Sequence, residues 1–325
     1  IYGPEWMTKE LIKLLTNLNP SVSIQSNNNT LKPWFIYFAL QASHIPSEAP
    51  DMYYNKYKNN GYTYERQMHQ AQTTSIDDIM KTVVNYLEDN NMWENTLIVF
   101  SSDNGGYYNV GDNAPLRGCK ATFWDGGLRV PGFVTGGYLN EERYGKELDI
   151  VNHITDWYPT LLSAAGLKFT NAKSIDTWDW DNNVRKFQKL YQDQYIELDG
   201  IDLWEIIQNG YTKDDTLVSM DSREILLDMD SQKNCDFDSC GAIRIGDWKY
   251  VRGNEIDADM DLWNRDFSQN ADLLQCGNVN LETINSNLCR GIEMGCLFNI
   301  KEDPCEYTDL ANTYPDVTAY MTERL

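Results

Sequence analysis

Histidine is scarce in this chain, with three copies among 325 residues. So few imidazoles disfavour a zinc site built from several histidines. Positive charge is also in short supply, because 27 lysines and arginines stand against 49 aspartates and glutamates, for a net charge of −22. A surface this acidic repels nucleic acid and anionic membranes, so we expect neither as a partner. An anionic substrate would need a locally positive pocket.

Long hydrophobic runs and closely spaced cysteine pairs are absent as well. No run reaches the roughly 18 apolar residues that a membrane helix needs, so we expect no membrane span. The chain starts at Ile1 without an initiator methionine or a signal-peptide pattern, and we expect it to be a piece of a longer precursor. The absence of any CxxC pair disfavours a zinc ribbon.

Cysteine is concentrated in the last third of the chain. These six cysteines predict a disulfide framework formed in a secretory compartment, with the pairing left open. Cys119 stands apart and is the expected free thiol. Asn28 begins an Asn-Asn-Thr sequon, which is compatible with glycosylation in the same compartment and also arises by chance. The late cysteines are Cys235, Cys240, Cys276, Cys289, Cys296 and Cys305.

Apolar periodicity predicts an α/β unit in the first part of the chain. Residues 34–40 and 96–100 are continuous apolar runs, which are typical of strands buried on both faces of a parallel sheet. After about residue 200, short strand-like runs at 242–245 and 248–251 predict a smaller α+β domain with antiparallel strands. The predicted helices cover 5–18, 75–90 with Ser75 as the cap, and 155–165.

Polar side chains follow the two predicted strands. His44 comes after the first, and Asp103 and Asn104 come after the second. Ligands bind at the carboxyl ends of strands in open α/β sheets, and carboxylate and amide oxygens suit Ca²⁺ or Mg²⁺. The alternative interpretation of Asp-Asn-Gly-Gly is an ordinary turn. A later loop carries three cations that could hold an anionic oxyester, namely Arg117, Lys120 and Arg129.

Several segments, taken in order, resemble the carboxyl-terminal part of a sulfatase of the alkaline-phosphatase superfamily, closest in pattern to the arylsulfatase B group. The resemblance implies that residues 1–200 are the carboxyl-terminal part of the catalytic α/β domain and contain part of an alkaline-phosphatase-like mixed sheet flanked by helices. It implies a smaller, disulfide-rich α+β domain with an antiparallel sheet at 201–325. The matching segments are 35–46, 95–106, 115–120, 153–160, 246–250 and 297–306.

The same resemblance implies roles for four residues. Asp103 and Asn104 match the pair that ligates the active-site cation, usually Ca²⁺ rather than Mg²⁺, and Asp103 also matches the base that activates the nucleophile. Lys120 matches a lysine that binds sulfate, and His44 matches a histidine that hydrogen-bonds sulfate near the bridging oxygen. A cation, a lysine and a histidine would stabilise charge on the sulfuryl oxygens and the leaving alkoxide.

The chain departs from the family pattern at the nucleophile. That nucleophile is a formylglycine made from the cysteine of a Cys-x-Pro-x-Arg motif, and none of the seven cysteines lies in that context. Cys119 also stands where an arginine often precedes the sulfate-binding lysine. The paired aspartates, and a second lysine and histidine, belong to the family's amino-terminal part. We therefore expect half of an active site here, completed by the amino-terminal part of the same precursor.

Three functions follow, in order of preference. The first is a sulfuric ester hydrolase, secreted or lysosomal, that acts on a sulfated sugar or glycosaminoglycan and could be an oligomer. The second is a non-catalytic sulfatase-like structural or glycan-binding extracellular protein, which the missing nucleophile favours. The third is a phosphoesterase of the same superfamily, which the three histidines disfavour because such enzymes use several histidine and aspartate ligands for zinc.

Overall fold

The structure, a computed structural model, describes residues 2–19, 33–167, 198–210, 223–229, 241–253, 289 and 295–325. The chain divides into two compact units. Unit 1 comprises Ile1–Tyr138 and Leu226–Leu325, and unit 2 comprises Leu139–Ile225. The predicted domain boundary at residue 200 lies within unit 2 and stays a prediction. The predicted glycosylation site Asn28 lies outside the described residues.

Seven α-helices and six strands are described in these ranges. The helices are α1 (Gly3–Leu18), α2 (Asp51–Tyr54), α3 (Tyr64–Asp89), α4 (Asp125–Leu128), α5 (Trp157–Ala164), α6 (Trp204–Asn209) and α7 (Pro315–Arg324). The strands are β1 (Ile98–Ser101), β2 (Gly132–Thr135), β3 (Glu224–Met229), β4 (Gly241–Ile245), β5 (Trp248–Arg252) and β6 (Cys296–Asn299). Short 3₁₀ turns cover Trp93–Asn95, Glu141–Arg143 and Ile154–Asp156.

Helices α1 and α3 pack together in unit 1, which confirms the helix predicted over 5–18. Their apolar faces form a buried cluster that includes Leu11, Leu15 and Leu87. The predicted start of α3 at Ser75 is wrong, because Thr63 caps the helix by accepting a hydrogen bond from the main-chain nitrogen of Arg66 at 3.3 Å. Ser75 lies inside the helix and is fully buried.

The apolar run 34–40 is extended but does not form a strand with any other described residue. Its side chains alternate, so that Trp34, Ile36 and Phe38 pack against the cluster between α1 and α3. Phe35 is 76% exposed and Tyr37 is 85% exposed. A strand forms only when another segment supplies hydrogen-bond partners for its main-chain groups. The local sequence does not specify that segment. The run therefore carries one packed face and one bare apolar face.

Strands β1 and β2 pair antiparallel, with Phe100 opposite Phe133 and the two rings stacked at 4.9 Å between centroids. The predicted strand at 96–100 is therefore present at 98–101, but its described pairing is antiparallel rather than parallel and its residues are not fully buried. Strands β3, β4, β5 and β6 form a four-stranded sheet in that order. The described β4–β5 and β5–β6 pairs are antiparallel, which confirms the antiparallel carboxyl-terminal sheet.

Both faces of the carboxyl-terminal sheet are buried. One face packs against Phe123 and Trp124, where the Trp124 ring meets Phe298 edge-on. The other face is covered by α7 through the fully buried Met321. A disulfide joins Cys289 to Cys296, and Cys305 is also disulfide-bonded, whereas Cys119 is a buried free thiol. Among the described helices, none is long and apolar enough to cross a membrane.

Unit 2 is organised around the buried carboxylate of Asp156. The main-chain nitrogens of His153 and Ile201 donate to it at 2.7 and 2.9 Å. The guanidinium of Arg223 donates to it at 2.9 Å through Nη1. Asp156 has no exposed side-chain surface, so its charge depends on these partners rather than on water. Asp156 ends the 3₁₀ turn Ile154–Asp156, which leads directly into α5. The helix predicted over 155–165 is therefore present at Trp157–Ala164.

Replacing Asp156 with alanine should destabilise the chain by about 3–5 kcal/mol, because it leaves the Arg223 guanidinium buried without its counter-charge. Urea denaturation would measure the loss. The matched control is Asp149→Ala, at an exposed aspartate of the same unit, which should stay within about 0.5 kcal/mol of the parent chain. Equal effects of the two variants would contradict the structural role of Asp156.

Candidate functional site

The loop that follows β1 carries Asp103 and Asn104. One carboxylate oxygen of Asp103 accepts a hydrogen bond from the Asn104 main-chain nitrogen at 2.9 Å, and the Asp103 side chain is exposed. The amide of Asn104 donates to the carbonyl of Gly105 at 2.9 Å. This bond uses the amide nitrogen and leaves the Asn104 side-chain oxygen for a cation. The loop thus presents carboxylate and amide oxygens at the end of a strand.

Two backbone segments meet at Gly105. Its main-chain nitrogen donates to the carbonyl of Gly127 at 2.8 Å. A Cβ at Gly105 would lie 1.8 Å from the carbonyl oxygen of Gly126, closer than any atom pair tolerates. The glycine that follows Asp103-Asn104 is therefore required by a close backbone approach, beyond what an ordinary turn demands.

Lys120 lies beside this loop. Its main-chain nitrogen donates to the carbonyl of Gly106 at 3.0 Å, and its side chain is half-buried. Asn113 bridges the same region, because its side chain accepts from the nitrogen of Gly106 at 2.7 Å and donates to the Gly106 carbonyl at 2.9 Å. The structure therefore brings the predicted metal-binding loop and the predicted sulfate-binding lysine together through direct backbone contacts.

His44 follows the extended run 33–40 and is exposed. Its Nδ1 donates to the carbonyl of Ile45 at 2.9 Å, so Nε2 is the ring nitrogen that could contact a substrate. The main-chain carbonyl of His44 accepts from the side chain of Gln72 on α3 at 3.1 Å. None of the described hydrogen bonds of His44 reaches Asp103 or Lys120, so its place in their site stays a prediction.

Arg117 does not serve as predicted, because its charge is buried, whereas a substrate-binding role for Arg129 stays a prediction. Arg117 is fully buried, and its guanidinium lies 3.6 Å from the ring centroid of Trp124. It also donates to the carbonyls of Cys289 at 3.2 Å and Glu306 at 3.3 Å. Arg129 is exposed, beyond α4. Lys120 is therefore the cation of this trio that directly adjoins the Asp103 loop.

A buried charge cluster, missed by the sequence interpretation, lies behind the loops. The ammonium of Lys249 on β5 lies 2.6 Å from a carboxylate oxygen of Asp125 and 2.6 Å from one of Glu306. The second oxygen of Glu306 accepts a hydrogen bond from the Asp125 main-chain nitrogen at 2.8 Å. Lys249 and Glu306 lie within the segments 246–250 and 297–306 that resemble the sulfatase pattern, yet nothing in their local spacing indicated an ion cluster. We call Asp125, Lys249 and Glu306 the buried charge cluster.

Two carboxylates share one ammonium in the buried charge cluster, and this sets their pKa values. Burial alone would lower the pKa of Lys249, but the neighbouring charges of Asp125 and Glu306 outweigh it, so the pKa is raised. Burial raises the pKa of Glu306 to about 7, against the opposing pull of Lys249 and with the repulsion of Asp125. Glu306 therefore takes up the proton that removes the excess negative charge.

The other two histidines have local structural roles. His153 starts the turn that leads into α5, and its ring contacts the hydroxyl of Thr155 at 2.9 Å. His69 lies on α3 and is half-buried. Burial lowers the pKa of His69, and its Nδ1 has no hydrogen-bond partner in the described parts of the chain.

The donor atoms at this site are of the type that a hard divalent cation prefers, but they are too few to complete its coordination shell. Asp103 and Asn104 offer oxygen ligands, which suit Ca²⁺. Calcium takes roughly six to eight oxygens, and two side chains supply only part of that shell. Among the described residues, no group of three or more histidine, cysteine, aspartate or glutamate side chains is placed to hold a metal ion.

Comparisons with known proteins place this chain in a family. Residues 7–167 match the sulfatase family profile. Mouse arylsulfatase J is 32% identical over the whole chain, which spans 48% of that protein. Mouse N-acetylgalactosamine-6-sulfatase is 28% identical over 51% of the chain and 31% of its own length. The chain belongs to the sulfatase family, and its likeness to the arylsulfatase B group in particular stays a prediction.

A solved structure supports the fold. The crystal structure of Ps i-CgsB in complex with k-i-k-neocarrahexaose superposes with a TM-score of 0.66 at 21% identity. The superposition covers 99% of this chain and 54% of that one. The fold is therefore the α/β architecture of the sulfatases with an antiparallel carboxyl-terminal sheet. The chain spans about half the length of the relatives that it matches.

Replacing Gly105 with alanine should destabilise the chain by about 1–3 kcal/mol or more, because the new Cβ overlaps the Gly126 carbonyl and forces the two loops apart. Thermal unfolding would measure this loss. The control is Gly132→Ala, where the added Cβ would meet the nearest atom at an ordinary 3.4 Å and should be tolerated. If both variants unfold at the same temperature as the parent chain, the loops do not approach as described.

Proposed function

We propose that this chain is the carboxyl-terminal part of a sulfuric ester hydrolase that removes sulfate from a sulfated sugar or glycosaminoglycan. The observation that carries the proposal is the backbone pairing of Gly106 with Lys120 at 3.0 Å. It sets a lysine beside the Asp103-Asn104 loop in a chain of the sulfatase family. A cation and an ammonium held side by side can stabilise the oxygens of a sulfate group.

In the proposed reaction, Asp103 and Asn104 hold a Ca²⁺ ion, with Mg²⁺ as the less favoured metal. Lys120 binds a sulfate oxygen. Asp103 also acts as the base that activates the nucleophile. His44 contributes a hydrogen bond near the bridging oxygen, and its Nε2 would have to carry a proton for this because that oxygen only accepts. When bound, Ca²⁺ supplies Lewis-acid stabilisation of the developing negative charge.

The nucleophile would come from a formylglycine on an amino-terminal part of the same precursor. Two observations support such a partner. The donor atoms described at the site are too few to complete a calcium shell. The extended run 33–40 also leaves Phe35 and Tyr37 exposed, and no main-chain hydrogen bond joins that run to another described residue. An added strand would cover the rings and pair the backbone.

The substrate class rests on the relatives. Mouse N-acetylgalactosamine-6-sulfatase is named for a sulfated amino sugar, and the Ps i-CgsB structure holds neocarrahexaose. We propose a sulfated sugar here too, with a secreted or lysosomal location that matches the disulfides.

A second function, a non-catalytic sulfatase-like structural or glycan-binding extracellular protein, is favoured by one observation. None of the seven cysteines of this chain lies in a Cys-x-Pro-x-Arg context. Mass spectrometry of the full precursor separates the two functions. A cysteine-derived formylglycine supports the enzyme, and an unmodified or missing residue supports the binding protein.

The activity test uses a chromogenic aryl sulfate. The 325-residue chain alone should show no turnover at an enzymatic rate, and the full precursor should hydrolyse the ester. Asp103→Ala and Lys120→Ala in the precursor should each lower kcat/KM by about 10²-fold or more, as expected for loss of a group that stabilises the transition state. Lys301→Ala, at an exposed cation that faces Asp247 rather than the Asp103 loop, is the control and should retain activity. Normal turnover by the 325-residue chain alone would contradict the half-site.

A further inference from the structure

The buried charge cluster joins segments that are far apart in sequence. Asp125 begins α4, Lys249 lies on β5 and Glu306 lies in the turn after β6. The side chains of Lys249 and Glu306 have no exposed surface, and that of Asp125 is 8% exposed. Charges that are buried this deeply are retained only when their partners compensate for lost hydration. Here one ammonium faces two carboxylates.

The backbone that follows Asp125 leads directly to the candidate site. The carbonyl of Gly127 accepts from the nitrogen of Gly105, the residue after Asn104. The nitrogen of Gly126 donates to the carbonyl of Arg117 at 2.6 Å, three residues before Lys120. A displacement of α4 would therefore move the Asp103-Asn104 loop and the Lys120 loop together.

We propose that Lys249 is a positioning residue for the candidate site, because its ammonium holds Asp125 and thereby fixes the two loops that carry Asp103, Asn104 and Lys120. The inference rests on the proposed function for the chemical roles of those three residues. Lys249 itself would touch neither sulfate nor cation. Its place on β5 makes the carboxyl-terminal sheet a part of the active-site framework as well as a cover for the hydrophobic core.

Glu306 adds a dependence on pH to this arrangement. The charged groups that face it are Lys249 from β5, Asp125 from α4 and Arg117, whose guanidinium contacts its main-chain carbonyl. Asp303 lies on the same turn, and burial raises its pKa as well. With both carboxylates ionised, the cluster keeps one uncompensated negative charge. Protonation of Glu306 leaves Lys249 paired one to one with Asp125.

The first test removes the ion pair between Asp125 and Lys249 by replacing Asp125, the partner that lies next to the site loops. Removing Lys249 itself would leave two buried carboxylates facing each other, and we expect that variant to unfold. Asp125→Ala instead keeps the pair of Lys249 with Glu306. In the 325-residue chain, amide hydrogen exchange at Gly105, Gly126 and Lys120 should become at least about tenfold faster, as expected for loss of a hydrogen bond to a charged group.

The controls separate positioning from general weakening. Amides of α3 should exchange as in the parent chain, and Asp125→Asn, which keeps an acceptor oxygen, should restore most of the protection. The matched variant is Asp247→Ala, which removes a carboxylate that faces Lys301 at 3.7 Å on the exposed edge of the same sheet, and it should leave the loop amides unchanged. Loop exchange that matches the parent chain in Asp125→Ala, or that rises only as much as in α3, overturns the proposal.

Kinetics in the full precursor give an independent readout. Asp125→Ala should lower kcat for an aryl sulfate by about 10²-fold through misplaced loops, and Asp125→Asn should recover part of it. If the precursor has no sulfatase activity in any form, the proposed function fails while hydrogen exchange still decides the positioning role. If the precursor is active and Asp125→Ala retains the parent kcat, Lys249 does not position the site.

A pH series tests the shared ammonium. The folded state holds the Glu306 proton up to about pH 7, whereas an ordinary glutamate releases it near 4.5, so the contribution of Glu306 to stability should decline as the pH rises from about 4.5 to 7. Glu306→Gln cannot titrate, and the difference in thermal midpoint between this variant and the parent chain should change across that window. Parallel curves for the two chains would overturn the shared-ammonium arrangement.

Discussion

One ammonium group, shared by two buried carboxylates, connects the two chain segments that make up unit 1. Lys249 comes from the carboxyl-terminal sheet, while Asp125 belongs to the short helix that supports the site loops. Without this ion cluster, the contact between sheet and loops would rest on the packing of Trp124 against Phe298 and on the hydrogen bonds of Arg117. The two ion pairs at 2.6 Å add short, charge-assisted hydrogen bonds to this contact, which are stronger than neutral ones.

This arrangement explains why glycines are dense around the candidate site. The backbones at Gly105 and Gly126 approach until no side chain fits between them, and Gly106 meets Gly111 in the same way. Close approach of bare backbones lets main-chain hydrogen bonds replace side-chain contacts. The loops that carry Asp103, Asn104 and Lys120 are therefore joined through their main chains.

Local sequence predicted the elements whose signals are local. Apolar spacing identified α1, and a continuous apolar run predicted a strand at 96–100 that the structure has at 98–101. The start of α3 was missed because Ser75 has the chemistry of a cap and only tertiary burial shows that it lies inside the helix. The family resemblance indicated Asp103 and Lys120, and the structure shows that their loops are neighbours.

Long-range electrostatics could not be predicted in this way. Arg117 looked like a substrate-binding cation. Its guanidinium instead contacts main-chain carbonyls and a tryptophan ring, from residues up to 189 positions away. Lys249 and Glu306 looked like ordinary members of a motif, and their pairing depends on the register between β5 and β6. The run 33–40 had the composition of a buried strand, but a strand also depends on neighbours that local composition does not specify.

The central proposal is that Asp103 and Asn104 provide part of a divalent-cation site. Calorimetric titration with Ca²⁺ tests it most directly. Among the described residues, Asp103 and Asn104 supply too few oxygens for a calcium shell, so we expect the 325-residue chain alone to show no stoichiometric binding. The full precursor should bind one ion per chain, and Asp103→Ala should abolish that binding. Tight binding of one ion by the 325-residue chain alone, lost in Asp103→Ala, would contradict the half-site and show that the chain completes the cation shell itself.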